Sequence, residues 1–380
     1  SLKNTKNVIN KTIYIDALKD KFKNKPAIVM AGGPSLAKNI AQVKEFEERA
    51  VLFSIGSSLK KVHNDNNIQS DFAVFIDSWP SAHQTKNIKN LEKSNLIVQP
   101  SANPDVFDRK YNNYFTCLPY NNFFCLWISE ELGLDIEHFY NRGTVSIACF
   151  YSALRMGCNP IIFLGQDLAY SKDGKKFADD NMANFHHSKS EVEVLGQCGE
   201  MLPTTGSYAS FIRYFENLAR EFGSETKIIN ATEGGAFIKG LEHMTFKEAS
   251  KFIPEETFSV NENIENSIKN YINPIQAGKL KLINSIKNQY KATDRLTQEI
   301  KKARNISYKL KNELGKVNIN KKKVLKHFEE LFYQNGVIDK ILNQNCVLIT
   351  MYIQEANYKF IQTIGRTSGF SDINDMISYI

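Results

Sequence analysis

The chain reads as an α/β protein: a Rossmann-like, mostly parallel sheet with helices on both faces, followed by a C-terminal all-α helical domain. Three observations predict this. Between residues 27 and 254, short apolar runs alternate with helical periodicities, as strands and helices do in βαβ units. Most of those runs are apolar throughout, as strands covered on both faces must be. After about residue 255 the character changes to long Lys/Asn/Gln/Glu-rich stretches with apolar residues at i, i+3 and i+4. The expected organisation is an N-terminal extension over 1–26, an α/β domain over 27–254 and a helical domain over 255–380.

The first run, Ala27 to Ala31, breaks into Gly32-Gly33-Pro34-Ser35 and then leads toward a helix. Two adjacent glycines let backbone N–H groups approach an anion closely, and Pro34 sits where its missing donor costs least. Ser35 can cap the helix or touch a phosphate. Unpaired amides at the positive end of a helix suit a nucleotide or nucleotide-sugar better than an apolar ligand. An ordinary strand-to-helix corner has the same composition.

The further strands are expected at Val51 to Ile55, Phe72 to Ile76, Asn95 to Gln99, Tyr114 to Leu118, Ile161 to Leu164 and Lys227 to Ile229. Val145 to Met156, stopped by Gly157, and Ser207 to Glu221, stopped near Gly223, carry helical spacing and should pack on the sheet. Open sheets bind ligands beyond the carboxyl ends of their strands. Polar groups fall there repeatedly: Gly56, Ser57 and Ser58, then Asp77 and Ser78, then Ser101 and Asn103, then Gly165, Gln166 and Asp167. A lone Asp such as Asp77 or Asp167 serves equally as a helix cap or turn residue. In the helical domain, Pro274, Gly278, Gly315 and Gly336 mark expected breaks, giving a three- or four-helix bundle or antiparallel hairpins. Its apolar final section, Val337 to Ile364, reads as a buried helix, and the domain as a surface for packing or homo-oligomerisation.

A chain of 380 residues, 42% hydrophobic, can bury a sizeable core. No run approaches the ~20 apolar residues of a membrane span, and the polar first residues lack the apolar segment of a signal peptide, so no membrane insertion and a cytoplasmic location are expected. The six cysteines form no C-x-x-C pair, which indicates neither a disulfide framework nor a zinc site. The net charge of +7 is regional: residues 265–330 hold 16 Lys/Arg against 6 Asp/Glu. That pattern reads as a solvated helix face, and no nucleic-acid partner is expected. No D-x-D pair follows a strand, and Asp179-Asp180 lies in a Lys-rich loop, so no metal site is expected.

Three blocks together resemble the Maf family, the motility accessory factors thought to glycosylate flagellin with nonulosonic acids. They are Ala31 to Leu36; Asn141-Arg142-Gly143-Thr144-Val145-Ser146 with Ile161 to Tyr170; and Gly196 through Thr204-Thr205 to Asn230–Gly240. The first two blocks are also similar to bacterial sialyltransferases that use a CMP-activated sugar. The resemblance implies a glycosyltransferase with a CMP-nonulosonate donor as substrate, flagellin as acceptor and no separate cofactor. It places Arg142 and Thr144 near donor or acceptor, and a catalytic His in the loop holding His186 and His187, with His187 preferred because Ser188-Lys189 follows it. An imidazole near neutral pKa suits proton transfer; a surface pair with no catalytic duty is the plainer account. Nucleotide contacts are expected from Gly32, Gly33, Pro34, Ser35, Gly56, Ser57, Asp77, Asn103, Thr144, Gln166, Asp167 and Tyr170. One departure is plain: where those sialyltransferases carry Asn before Gly-Pro-Ser, this chain has Gly32. The MptE-like pterin pyrophosphokinases, which need ATP and a divalent cation, resemble the same Gly-Pro-Ser-Leu and Gly-x-Asp blocks, and a non-catalytic flagellin-binding factor is a third reading.

Overall fold

The computed structural model describes residues 4–136, 143–170, 192–318 and 320–345. The chain divides into two compact units at Gly278/Lys279.

The first unit is built on a nine-stranded sheet in which every pairing is parallel. In chain order its strands are β1 (Ile13–Tyr14), β2 (Ala27–Met30), β3 (Val51–Ile55), β4 (Phe72–Phe75), β5 (Asn95–Val98), β6 (Tyr114–Thr116) and β7 (Ile161–Leu164). A separate antiparallel hairpin follows, β8 (Val192–Leu195) and β9 (Met201–Thr204), and then β10 (Ile228–Asn230) and β11 (Glu242–His243) complete the sheet. The spatial order is β1-β6-β5-β4-β3-β2-β7-β10-β11. Starting from β2 the chain steps outward to β6, then returns to lay β7 on the other side of β2.

The expected apolar runs form strands because both faces of the sheet are covered. On one face Ile28, Met30, Leu52, Ile162 and Leu164 enter a core with Leu36, Val43 and Phe246. On the other, Phe163 meets Phe150 and Phe215, at centroid distances of 6.5 and 5.2 Å. The helices of this unit are α1 (Thr5–Lys11), α2 (Leu36–Asn39), α3 (Ala82–Thr85), α4 (Phe123–Leu132), α5 (Val145–Arg155), α6 (Gly206–Phe222), α7 (Phe246–Ala249), α8 (Val260–Lys269) and α9 (Pro274–Ala277). Helix α5 is buried along nearly its whole length against β2, β3, β4 and β7, and α6 buries Ile212, Phe215, Leu218 and Phe222 at helical spacing.

Residues 4–26 are woven into this unit. Tyr14 pairs with Thr116 at the sheet edge, and Ile15, Leu18 and Phe22 are fully buried. Asp16 takes two hydrogen bonds from the Arg155 guanidinium, at 2.8 and 2.6 Å, at the end of α5. The amides of Asp20, Phe22 and Asn24 bond the carbonyls of Arg155, Met156 and Gly157, giving the last turn of α5 the partners that helix ends require. Residues 255–278 likewise belong with the first unit, where Val260, Ile264 and Ile275 are buried.

The second unit contains α10 (Lys279–Leu314) and α11 (Lys321–Asn345), packed on each other through Leu296 and Ile341 with Ala292, Val337, Ile338 and Leu342 around them. Two long helices occupy its described residues, and the other two helices of the 255–380 region, α8 and α9, belong with the first unit. The break expected at Gly315 is present, while α11 runs through Gly336, whose cost of about 1 kcal/mol in a helix a 25-residue element absorbs. The expected buried helix lies partly in 346–364, outside the described residues. No helix among the described residues is long and apolar enough to cross a membrane.

Candidate active site

The strand order reverses between β2 and β7, and the loops that leave the carboxyl ends of these strands must diverge there, opening a crevice. A cavity of about 80 Å³ sits at this place, lined by Gly32 and Gly33 after β2, Gly165, Gln166 and Asp167 after β7, Thr144 and Ser146 at the start of α5, and Tyr208 and Phe211 on α6. Beside it, at the ends of β3 and β4, lies a wider cleft of about 450 Å³ lined by Gly56, Asp77, Trp79, His83 and Gln84. Ile55 and Ser57 belong to both walls.

The Gly33 and Ser35 amides of the Gly-Gly-Pro-Ser turn are already taken by the protein. The carboxylate of Asp167 accepts the Ser35 hydroxyl at 2.7 Å and the Ser35 N–H at 3.3 Å, and the Gly33 N–H bonds the Gly165 carbonyl at 2.8 Å. An internal carboxylate thus takes the donors expected for phosphate. Burial pushes the Asp167 carboxyl up to about 6, opposed by the Ser35 donors and the Lys38 ammonium. Glycine at 33 is obligatory, since a Cβ there would overlap Asp167 and Gly165. At Gly32 a Cβ would overlap the Ser57 hydroxyl, so Ser57 occupies the space that a side chain at 32 would need. Pro34 is half-buried.

The start of α5 offers uncommitted helix-end amides to the cavity. Thr144 and Ser146 border the cavity and Val145 the cleft, so the first turn of α5 stands between them. Thr144 makes no side-chain cap bond and no acidic residue lies in that turn. The positive end of an 11-residue helix therefore faces the site. Gln166 is 3% exposed; its N–H donates to the Thr232 hydroxyl at 3.0 Å and its Oε1 has no partner among the described residues. Burial raises the Tyr208 phenol far above its usual range, which keeps its proton in place.

The third sequence block braces this floor. Ala236 N–H bonds the Asp167 carbonyl at 2.7 Å, and a Cβ on Gly235, which has φ +71°, would strike the Asp167 backbone. Lys38 Nζ donates to the Glu233 carbonyl at 2.8 Å.

Four expected contact residues, Pro34, Ser35, Asn103 and Tyr170, line neither cavity, and Ser35 is engaged by Asp167 instead. Asn103 is a latch: its amide bonds the Ser78 carbonyl at 3.0 Å, its N–H the Asp77 carbonyl at 2.8 Å, and its Oδ1 accepts the Asp105 N–H. Tyr170 is buried, with its N–H on the Pro203 carbonyl, and lines neither space. Arg142, His186 and His187, like Asp179 and Asp180, lie outside the described residues. Among the described histidines His83 alone lines either of these spaces; His63 is buried between the Lys89 carbonyl and the Ser70 hydroxyl, and His243 bonds Ile238. Sequence reasoning missed Tyr208 and Phe211, taken only as part of a packing helix, and Trp79. A tryptophan set directly behind a strand end, in Asp77-Ser78-Trp79-Pro80, was a legible signal.

Fold and site together define an open-sheet, Rossmann-like α/β protein with a cavity at the switch point. Residues 1–173 match the family model described as 6-hydroxymethylpterin diphosphokinase MptE-like. No curated protein matches the sequence. The fold is similar to that of the Maf glycosyltransferase from Magnetospirillum magneticum AMB-1, with a TM-score of 0.54 and 15% identity, over 87% of this chain and 47% of that one. The chain therefore spans about half the length of that structure. At that identity the likeness is one of fold.

Proposed function

We propose that the chain is a glycosyltransferase that moves a nonulosonic acid of the pseudaminic, legionaminic or sialic type from a CMP-activated donor to Ser/Thr hydroxyls of flagellin. One observation carries the reading. Two of the three separated blocks that resemble the Maf family line one cavity, through Gly32 and Gly33 and through Thr144 with Gly165 to Asp167, and the third braces Asp167 through Gly235 and Ala236. A cytoplasmic location and a homo-oligomer formed through the helical unit belong to the same proposal.

In this reading the donor phosphate lies at the first turn of α5, where oriented amides stabilise negative charge, and the glycine turn supplies room for close approach. Gln166 Oε1 accepts a hydrogen bond from the donor. The bond from the anomeric carbon to the phosphate oxygen breaks with its electron pair leaving on CMP, and the Tyr208 phenol donates a hydrogen bond to that oxygen. The acceptor hydroxyl oxygen bonds the anomeric carbon as His187 or His186 takes its proton. One phosphate can be stabilised by these donors alone, so the transfer needs no cation. The match of residues 1–173 to the MptE-like family favours a second reading, an ATP-dependent pterin diphosphokinase.

The test is incubation of the chain with a CMP-nonulosonate and flagellin, followed by acceptor mass and CMP release. Transfer should fall at least about a hundredfold in either His187→Ala or His186→Ala, the range for loss of a general base. Unchanged transfer in both would remove the histidines from the mechanism. Calorimetry separates the second reading: magnesium-dependent ATP binding with no response to CMP selects the diphosphokinase.

A further inference from the structure

We propose that the cleft at the ends of β3 and β4 holds the planar heterocycle of the substrate, stacked on the indole of Trp79. The inference rests on the reading of the adjoining cavity as a nucleotide-sugar site, and it says which half of the nucleotide goes where.

Trp79 is 78% exposed, while the chain's other tryptophan, Trp127, is 3% exposed. A large aromatic surface left in water is unfavourable unless something covers it, and indole offers a flat face for another ring. This Trp does not sit on a wandering loop. The Asp105 carboxylate accepts the Ser81 hydroxyl at 2.6 Å, the Ser81 N–H at 2.8 Å and the Ala82 N–H at 3.0 Å, fixing the start of α3 just beyond it. On its other side Asn103 holds the carbonyls of Asp77 and Ser78, and the Ser101 hydroxyl holds that of Ile76 at 3.0 Å. Pro80 restricts the backbone of Trp79 directly. The indole is thus exposed on a backbone anchored from both sides, which is how a recognition surface differs from a mobile tip.

The chemistry of the walls selects the ligand. Val74, Phe75 and Val145 are apolar, and Ser57, Gln84, His83 and Asp77 supply hydrogen-bonding groups among the walls, the composition of a site for a flat polar ring. No Lys or Arg is among the lining residues, and Asp77 would repel a phosphate. The uncharged part of the substrate belongs here. Continuity does the rest: Ile55 and Ser57 line both spaces, and the first turn of α5 stands between them, so a ligand whose phosphate rests on that turn directs its base toward Trp79 and its sugar toward Gln166.

Tryptophan fluorescence with parallel calorimetry tests this, because only Trp79 is accessible. Titration with CMP should change the emission and protect it from acrylamide, in the native chain and in Trp127→Phe alike. Trp79→Ala should weaken CMP binding by roughly ten- to a hundredfold, the range for losing one base–aromatic stack, while Trp79→Phe retains most of it. If calorimetry shows CMP binding with no change in emission and an unaltered Trp79→Ala, the stacking proposal fails and the transferase reading survives. Quenching by free N-acetylneuraminate but not by cytidine also overturns it, placing the sugar on the indole. Quenching by magnesium-ATP with no CMP binding keeps the stacked heterocycle and discards the transferase.

Discussion

Ser35 and Asp167, 132 positions apart, are joined by both donors of the serine: its hydroxyl lies 2.7 Å from the aspartate carboxylate and its N–H 3.3 Å from it. The pair ties the loop after β2 to the loop after β7 across the place where the sheet reverses direction. It commits the Ser35 donors to the protein itself, which is why the proposed mechanism puts the phosphate at the start of α5.

Asp167 makes the stability of the fold depend on pH. Its carboxyl is raised from 3.8 to about 6, so folding takes up a proton in that interval. Its contribution is fully present below the lower value and is lost as pH rises through the upper one. Asp167→Asn removes the titration, and the native chain should therefore lose up to about 3 kcal/mol relative to this variant between pH 4 and pH 7. Denaturant melts at the two pH values check this; a constant difference would mean that the carboxyl titrates normally.

Ser57 and Gly32 compete for one volume. Gly32→Ala should destabilise by about 1–3 kcal/mol, the usual range for overpacking, and Ser57→Gly in the same chain should recover most of it. A double-mutant cycle reads the coupling, and additive losses would show that the two positions are independent.

Tyr208 is assigned a hydrogen bond to the leaving phosphate oxygen. Tyr208→Phe should lower kcat roughly a hundredfold with little change in KM, the mark of an interaction made in the transition state. Equal loss in binding of CMP itself would instead make it a ground-state contact.

The first strand of the chain closes one edge of the sheet, and Arg155 clamps the segment behind it through Asp16. Arg155→Ala leaves a half-buried carboxylate without its partner and should cost about 3 kcal/mol. Deleting residues 1–24 should yield an aggregating protein, because it opens the edge of β6 and removes Leu18 and Phe22 from the core. Thermal melting and light scattering report both.

The seven strands expected from apolar runs all formed, with boundaries within two residues, because a strand buried on both faces writes its environment into its own composition. The two-residue strands β1 and β11 left no such mark, since backbone pairing with a neighbour defines them and not local apolarity. Among the candidate contacts, Gly32, Gly33, Ser57, Thr144, Gln166 and Asp167 do line the switch-point cavity, as their positions just past strand ends or at a helix start implied. Asn103 had the same credentials and became a latch, because its neighbour Asp105 and the loop at Ser78 took its hydrogen bonds.

Composition and periodicity by themselves determined the parallel sheet, the crevice at its carboxyl edge and the helical tail, because these follow from local patterns of burial. Only the tertiary structure decided that Asp167 would face Ser35, that Ser57 would fill the space beside Gly32 and that Trp79 would stand in solvent beside the cavity. Those outcomes depend on which polar group meets which across distant loops, and a hydrogen bond between residues far apart in the chain leaves no trace in the spacing of either one.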